Sequence, residues 1–158
     1  MGNSAHHALM PSLTLPSPYG PLTLTEKAGI LTSLDWRTGH DDPSPLLIEA
    51  ARQLTQYFNK TLHNFTLPVD FGTGIHTQVR HAMAAIPYGE TRTYGDIAKS
   101  LGTNAQAVGQ ACGANPLPIL IPCHRVVGAQ NLGGFSAKGG VETKVALLRH
   151  EGAASLLI

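Results

Sequence analysis

Apolar and polar side chains alternate in the first part of the chain, and the pattern then changes to a helical period. Two Leu-Thr-Leu repeats, at residues 13–15 and 22–24, lie on either side of Pro18-Tyr19-Gly20-Pro21. Alternation around a Pro/Gly break predicts a β-hairpin, and residues 30–34 predict a third strand. Apolar residues then recur at helical spacing and predict an amphipathic helix over residues 45–59.

A second helical period begins near residue 75. Apolar residues recur every three or four positions from Ile75 to Ile86, so a helix there should end before Pro87. A shorter helix should follow it. Thr93 and Asp96 have the spacing of a capping box at its start, and Gly102 is suited to a helix C-terminus.

Another short helix is expected over residues 104–113. Thr103 and Gln106 repeat the capping-box spacing, and the turn at Gly102 joins this helix to the preceding one. Two short helices joined in this way predict a helix-turn-helix. Small residues along Ala105-Gln106-Ala107-Val108-Gly109-Gln110-Ala111 suit either close packing against another helix or close approach of the backbone to a large ligand.

The segment before the second cysteine is apolar and rich in proline. Asn115-Pro116-Leu117-Pro118-Ile119-Leu120-Ile121 should therefore be buried and lead into Pro122-Cys123-His124-Arg125. A free thiol has a pKa of about 8.5, so a neighbouring base or cation is needed to make it an effective nucleophile at neutral pH. Adjacent Cys and His residues alone are compatible with such chemistry and also with an inert buried cysteine.

The composition limits the class of protein. The chain has 158 residues, 42% of them hydrophobic and 13% charged, and is long enough to bury a core as one or two domains. No apolar run approaches the length of a membrane-spanning helix, and the first ten residues do not resemble a secretory signal. Two cysteines, Cys112 and Cys123, fit a reducing compartment, and the histidines of residues 1–70 lack metal-ligand spacing.

Charge is distributed unevenly along the chain. Residues 1–70 hold four Lys/Arg and six Asp/Glu, a net charge of −2. Residues 71–158 hold seven Lys/Arg and four Asp/Glu, a net charge of +3. A basic C-terminal half is suited to a polyanionic partner, but chance scatter in a short chain gives the same imbalance.

Longer strings of residues decide between these alternatives. Pro122-Cys123-His124-Arg125-Val126, preceded by Asn115-Pro116, resembles the active-site signature of the O6-alkylguanine-DNA alkyltransferases. The similarity extends over most of the chain, from about residue 13 to residue 152. The other matching segments are Ser17 to Leu22, Tyr57 to Pro68, Ile86 to Thr91, Thr93-Tyr94, Ala107 to Ala111, Gly133 to Ser136, Lys144 to Leu148 and His150-Glu151-Gly152.

The resemblance implies an α+β fold with two domains. Residues 1–70 are expected to form a small ribonuclease H-like domain of sheet and helix. Residues 71–158 are expected to form a mostly helical winged helix-turn-helix domain that carries the active-site cysteine. The implied activity is that of a methylated-DNA–protein-cysteine methyltransferase, which repairs DNA by direct damage reversal. An alkyl group moves from O6-alkylguanine, or from O4-alkylthymine, in duplex DNA to a cysteine of the protein, and each molecule acts once.

The resemblance also assigns roles to single residues. Cys123 corresponds to the alkyl acceptor, His124 to the base that takes its proton through a water molecule, and Glu151 to the carboxylate that orients this histidine. Asn115 corresponds to the asparagine that ties the helix-turn-helix to the active-site segment. Tyr94 corresponds to the tyrosine that helps rotate the nucleotide. Taken by themselves, Glu151 also suits a helix-end carboxylate and Tyr94 a core aromatic.

Further residues are implied in binding. The backbone of Cys123, Val126 and Ser136 is expected to hydrogen-bond the guanine edge. Gln106 stands where the family usually has an arginine that fills the place of the rotated guanine, and its other interpretation is a capping-box residue. Arg125 is expected to be a structural ion-pair partner. Contacts to DNA are implied for Thr93, Gln106, Ala107, Gly109 and Gln110.

Partners and alternatives follow from the same comparison. No cofactor and no metal are expected, because the N-terminal half has no cysteine for the structural zinc site of some relatives. The implied protein is a cytoplasmic monomer that binds double-stranded DNA containing alkylated guanine and no membrane. A damage sensor without repair activity is a second hypothesis, which the presence of Cys123 disfavours. A cysteine hydrolase of small molecules is a third, and it leaves the helix-turn-helix without a role.

Overall fold

The structure is a computed structural model and describes residues 10–135 and 137–153. The chain divides into two compact units between Asp70 and Phe71. Among the residues that the structure describes, the first unit contains three strands and one helix, and the second contains the remaining elements. The elements of the first unit are β1 (Ser12–Leu15), β2 (Leu22–Lys27), β3 (Ile30–Asp35) and α1 (Pro45–Phe58).

The first unit is an antiparallel sheet with one helix packed on it. The strand order β1-β2-β3 and pairs such as Leu13 with Leu24 confirm the predicted hairpin and third strand. Helix α1 begins where predicted, because the Ser44 side chain accepts a hydrogen bond from the backbone N–H of Leu47. The buried apolar residues of this unit are Leu15, Leu22, Leu24, Leu31, Leu34, Leu47, Ala50, Leu54 and Tyr57.

The second unit is mostly helical. Strands β4 (Arg92–Thr93) and β5 (Val126–Val127) pair in parallel. This pairing places the residues that follow the 3-10 turn (Cys123–Arg125) beside the start of helix α3 (Tyr94–Leu101). A small sheet with a helix, followed by a helical unit, is the predicted α+β fold. The elements of the second unit are α2 (Ile75–Ala84), β4 (Arg92–Thr93), α3 (Tyr94–Leu101), α4 (Ala105–Gly113), a 3-10 turn (Cys123–Arg125), β5 (Val126–Val127) and α5 (Val141–His150).

Helices α3 and α4 pack against each other and form the predicted helix-turn-helix. Thr93 and Asp96 make both hydrogen bonds of a capping box at the start of α3. Gly102 ends α3 with a φ of 69°. Glycine adopts this left-handed conformation without the steric cost that a Cβ atom brings, so the sharp turn between the helices is built at low cost.

The capping box predicted for α4 is wrong. Asn104, and not Thr103, caps this helix, since its Oδ1 accepts the backbone N–H of Ala107 at 2.8 Å. Asparagine is a somewhat better cap than threonine, a preference that the spacing argument overlooked. Gln106 is therefore the second residue of the helix, one position before the residue that completes a capping box, and its side chain is exposed.

The second unit has its own core, to which the segment before the 3-10 turn contributes. The buried apolar residues include Val79, Met83, Ile86, Ile97, Ala98, Val108, Ala111, Leu117, Ile119, Ile121 and Leu147. In the part of the chain that the structure describes, the helices are too short or too polar to cross a membrane. Among the same residues, no three His, Cys, Asp or Glu side chains come together as a potential metal site.

The cap of α4 gives a direct test of helix-turn-helix stability. Asn104→Ala should lower the free energy of unfolding by about 1 kcal/mol, because the N–H of Ala107 loses its acceptor. The matched variant Thr103→Ala should change it by less than about 0.5 kcal/mol. Urea unfolding of both variants measures the difference, and an equal loss in the two would contradict the assignment of the cap.

Candidate active site

Cys123 lies at the end of a buried loop. Asn115 stands two residues after α4, and its Nδ2 donates to the carbonyl of Ile121 at 2.8 Å. Its Oδ1 accepts the N–H of Leu117 at 3.1 Å. These bonds hold the segment in a compact loop that is buried as predicted, and Cys123 then opens the 3-10 turn. Asn115 therefore ties the end of α4 to the residues that lead into the cysteine.

The same loop contains a strained residue. Ile119 is 1% exposed and has a φ of 73°, in the left-handed region that β-branched residues rarely adopt. Such a conformation costs on the order of 1–3 kcal/mol and persists only where other contacts hold it. Here the N–H of Leu120 bonds the carbonyl of Pro118, and the N–H of Ile121 bonds that of Leu117. The packed loop thus fixes the path of the chain into the site.

His124 and Glu151 form a fully buried pair. Nε2 of His124 lies 2.8 Å from Oε2 of Glu151. Burial alone would raise the pKa of Glu151, but the hydrogen bonds and charges of His124 and Arg125 outweigh it and hold the pKa well below its usual range. Because an ionised carboxylate only accepts hydrogen bonds, Nε2 carries the ring proton. Nδ1 is buried and has no hydrogen-bond partner within residues 10–135 and 137–153.

The pair presents a base beside a protonated nucleophile. Burial lowers the pKa of His124 more than Glu151 raises it, so the imidazole is neutral at neutral pH and the Nδ1 lone pair can accept a proton. Burial also raises the pKa of the Cys123 thiol, against the opposing effects of a hydrogen bond with Asn115 and of the Lys144 charge. The thiol must therefore lose its proton as it reacts.

Arg125 binds the same carboxylate. Its Nε donates to Oε1 of Glu151 at 2.8 Å, and its Nη2 donates to Oε2 at 3.0 Å. Its Nη1 donates to the carbonyl of Ile86 at 2.7 Å, and the guanidinium carbon lies 5.7 Å from the centre of the Tyr88 ring. The expected ion pair of Arg125 is confirmed. Glu151, which caps the C-terminus of α5, thereby holds two side chains of the 3-10 turn.

A cavity of about 600 Å³ reaches Cys123. Its wall is formed by the first residue of α3, by α4 and by the loop before α5. Three glycines and an alanine in this wall leave the space wide, and its size lies within the range of ligand-binding cavities. The lining residues are Tyr94, Ala105, Gln106, Gly109, Cys112, Gly113, Cys123, Gly134 and Phe135.

The structure brings part of the predicted set to this cavity. Val126 is buried, its N–H donates to the carbonyl of Cys123, and its own carbonyl accepts from Lys144. A contact of this carbonyl with a guanine edge stays a prediction that would use the second lone pair. Ser136 lies outside the described residues. The predicted residues that line the cavity are Cys123, Tyr94, Gln106 and Gly109; those that do not are His124, Glu151, Asn115, Val126, Thr93, Ala107 and Gln110.

Lys144 is a residue of the site that the sequence analysis missed. Its side chain is fully buried, and Nζ donates to the carbonyls of Val126 at 2.6 Å and Gly134 at 3.0 Å. It also lies 3.4 Å from the hydroxyl of Tyr94. Burial lowers the pKa of Lys144 to about 8, so the side chain is mostly charged at neutral pH. One signal was present, since Lys144 stands three residues before Leu147 on the apolar face of α5.

Tyr94 is held between Lys144 and the loop before α5. Burial raises the pKa of Tyr94 to about 12, so its hydroxyl stays protonated. Gly133 has a φ of 73°, and a Cβ atom there would lie 2.6 Å from the Tyr94 hydroxyl oxygen. Only glycine allows the loop to pass this close to the ring. The phenol is therefore fixed at the wall of the cavity, with a proton to donate.

Cys112 contributes a second thiol to the wall of the cavity. Sγ of Cys112 on α4 lies 3.5 Å from Sδ of Met83, and both cysteines are free. Burial raises the pKa of Cys112 to about 12, so this side chain is a neutral thiol, as the sequence predicts. It forms part of the cavity wall.

Comparison with known proteins identifies the family of this chain. The model of the "6-O-methylguanine DNA methyltransferase, DNA binding domain" matches residues 74–153. The model of the "6-O-methylguanine DNA methyltransferase, ribonuclease-like domain" matches residues 12–71. The two matched regions correspond closely to the two compact units of the structure.

Similar proteins extend over nearly the whole chain. The methylated-DNA–protein-cysteine methyltransferase of Mycobacterium tuberculosis is 43% identical over 151 residues, which cover 87% of this chain and 90% of the relative. The constitutive enzyme of Bacillus subtilis is 38% identical, with 87% and 93% covered. The crystal structure of M. tuberculosis OGT in complex with DNA superposes with a TM-score of 0.79 at 41% identity, covering 90% of this chain and 93% of that one. The resemblance of the sequence is thereby confirmed, and the chain belongs to the 6-O-methylguanine DNA methyltransferase family.

Proposed function

We propose that this protein repairs double-stranded DNA by moving the alkyl group of O6-alkylguanine, or of O4-alkylthymine, to Cys123. The observation that carries the proposal is the cavity beside the helix-turn-helix, which ends at a cysteine next to a buried base and its carboxylate. The DNA complex of the M. tuberculosis relative supports duplex DNA as the partner. We further assign the protein to the cytoplasm as a monomer.

The damaged base must leave the duplex before it reacts. Inside the stack the alkyl carbon is out of reach of a thiol that is only 7% exposed. The cavity offers room for one rotated nucleotide, whose unstacking costs a few kcal/mol and less where the lesion pairs poorly. We assign the protonated Tyr94 hydroxyl to donate to the base and the exposed Gln106 to fill the gap that the base leaves, because both residues line the cavity.

The transfer is an in-line displacement at the alkyl carbon. The sulfur of Cys123 attacks this carbon while the thiol proton passes to Nδ1 of His124, directly or through a water molecule. The bond from carbon to O6 breaks, its electron pair stays with the guanine, and the guanine takes up a proton. Glu151 stabilises the imidazolium that forms. The thioether product has no good leaving group, so each protein molecule acts once.

Helix α4 is the element that meets the DNA in this proposal. It exposes Gln106 and Gln110, with Ala107 and Gly109 partly exposed between them, and it carries no charged side chain. Thr93, at the start of α3, is assigned a contact to the DNA backbone. Because cations dominate the salt dependence of DNA binding, a neutral recognition helix should give a shallow dependence on salt concentration.

Lys144 holds the walls of the cavity together. A single ammonium group joins the strand after the cysteine, the loop before α5 and Tyr94. Its three donors are matched to three acceptors, so its burial leaves no donor unpaired. We assign it to the positioning of this loop and of Tyr94, which a rotated base would contact.

Incubation with duplex containing O6-methylguanine should add one methyl group to the peptide that carries Cys123. None should appear on Cys112, because its thiol lies against Sδ of Met83 and has no adjacent histidine in the sequence to take its proton. Intact mass and peptide mapping measure both. Cys123→Ala should bind the same duplex and gain no mass. Turnover beyond one equivalent would favour a hydrolase, and binding without mass gain in the unaltered protein would favour a damage sensor.

Lys144→Met should slow methyl transfer by at least about tenfold, because the buried carbonyl of Val126 and the carbonyl of Gly134 lose their donor and the loop before α5 is released. It should also lower the free energy of unfolding by about 1–3 kcal/mol for each acceptor left unpaired. Single-turnover rates and urea unfolding measure these effects. Alkylation of Cys123 by iodoacetamide needs no rotated base and should fall much less than methyl transfer, because the His124–Glu151 pair beside the thiol stays intact while only the Lys144 charge is lost. Methyl transfer at the wild-type rate in Lys144→Met would exclude a role for Lys144 in the site.

Gln106→Arg should tighten binding to damaged duplex by about 1 kcal/mol and speed repair, because a flat cation stacks on bases and hydrogen-bonds the unpaired partner. The melting temperature should not change, since Asn104 caps the helix. Gln110→Arg is the matched control: it adds the same charge to an exposed position outside the cavity. Both variants should steepen the log–log salt dependence by about one unit at most. Equal repair rates in the two variants would exclude a place for Gln106 in the base stack.

A further inference from the structure

The carboxylate of Glu151 is shared between a base and a permanent cation. Oε2 accepts from Nε2 of His124 at 2.8 Å and from Nη2 of Arg125 at 3.0 Å, while Oε1 accepts from Nε of Arg125 at 2.8 Å. The Glu151 and His124 side chains are fully buried, and that of Arg125 is 6% exposed, so solvent screens these charges very little.

This arrangement differs from a simple carboxylate–histidine pair. A carboxylate alone beside an imidazole favours the imidazolium, and the histidine then holds a proton before the substrate arrives. A guanidinium is charged at every accessible pH, and its bidentate contact offsets the charge of the carboxylate. The pair Arg125–Glu151 therefore has no net charge. The carboxylate oxygen that His124 contacts then stabilises the imidazolium less than the oxygen of an unpaired carboxylate would.

The guanidinium is fixed independently of His124. Nη1 donates to the carbonyl of Ile86, in the segment that follows α2, and the Tyr88 ring lies beside the same group. Arg125 thus cannot leave Glu151 without also breaking these contacts. Its neighbour His124 precedes it in the same 3-10 turn, so one fixed carboxylate positions two successive side chains.

We propose that Arg125 is a positioning residue that sets the basicity of His124 through the shared Glu151 carboxylate, and so keeps the base neutral and ready to take the thiol proton. The proposal rests on the function proposed above, in which His124 is the base. The charge of Arg125 acts in the required direction, since it lowers the pKa of His124 while Glu151 raises it.

Other titratable or charged side chains lie on the 3-10 turn itself and on the elements near it, and they must be kept unchanged in a test. Cys123 belongs to the same turn, Lys144 lies on α5, and Tyr88 contacts Arg125. Helix α2, which also packs against the turn, carries the buried Arg80. Arginine does not titrate in the accessible range, whereas Lys144 has a pKa of about 8. The informative range therefore lies below that pH, from about pH 5 to about pH 7.5.

The test is the pH profile of single-turnover methyl transfer from O6-methylguanine duplex. The rate depends on neutral His124, so it falls on the acid side of the histidine pKa. Arg125→Gln should raise this pKa and move the acid limb to higher pH by at least about one unit, a tenfold loss of relative rate at the acid end. Arg125→Lys keeps a cation, so its acid limb should lie close to the wild-type position. Glu151→Gln should move the limb the other way and lower the maximal rate.

A direct measurement of the His124 pKa separates a change in basicity from a loss of stability. NMR titration of the His124 ring should show the same order of pKa values, with Arg125→Gln above wild type and Glu151→Gln below it. Arg149→Gln removes an exposed arginine from the last turn of α5 and should leave both readings unchanged. If Arg125→Gln does not fold, Arg125→Lys compared with wild type still tests the order, because lysine loses the bidentate contact and should give a limb shifted part of the way.

An acid limb that stays in place in Arg125→Gln and Arg125→Lys, together with a lower melting temperature, would show that Arg125 has a structural role only and would overturn the proposal. Failure of the proposed function gives a different result. In that case the unaltered protein gains no methyl group on Cys123, and no pH profile of transfer can be recorded.

Discussion

One buried carboxylate holds the reactive centre together. Glu151 lies 26 residues after Arg125 in the chain, yet it binds Arg125 and His124 in the interior of the second unit. An ionised carboxylate that is removed from water costs several kcal/mol unless charges and hydrogen bonds match it. The end of α5 and the 3-10 turn therefore cannot separate without leaving an unpaired buried charge. The orientation of the base, and with it the deprotonation of the nucleophile, depends on this contact.

A second buried charge organises the other side of Cys123. Lys144 stands on α5, the helix that Glu151 caps, and its ammonium group binds the strand after the cysteine and the loop before α5. One helix thus supplies a carboxylate behind the reactive turn and an ammonium beneath the cavity wall. Both ions are satisfied by protein groups, so neither depends on the solvent of the cavity for its hydrogen bonds.

The helix surface that faces DNA in our proposal, by contrast, carries no charged side chain. Helix α4 presents amides and small side chains, and its cap is the neutral Asn104. At this surface, close approach of the backbone and complementary shape thus take the place of charge. Some of the charged side chains of the second unit are buried in its interior instead. Arg80, Arg125 and Lys144 are three of its seven cations, and all three are buried. The net charge of residues 71–158 therefore overstates the positive charge that is exposed to a phosphate backbone.

Local interactions account for what could be predicted from the sequence. The hairpin, helix α1, the capping box of Thr93 and the turn at Gly102 depend on residues close in the chain, and all are confirmed. The error at the start of α4 has the same origin. Thr103 and Asn104 are both acceptable caps, and their free energies differ by less than a spacing rule resolves. The roles of Cys123, His124 and Glu151 came from the resemblance to a family, since adjacency of Cys and His alone favoured an inert buried cysteine.

The sequence by itself determined the order of the elements, the burial of the loop before Cys123 and the identity of the candidate nucleophile. Only the tertiary structure decided the states of these groups. Arg125 and His124 share one carboxylate, Lys144 is buried with a lowered pKa, and Ile119 adopts a left-handed conformation. The physical reason is that each of these features depends on desolvation and on partners far away in the chain. Charge and backbone strain of this kind are set by what surrounds a residue after folding, and a local pattern does not encode it.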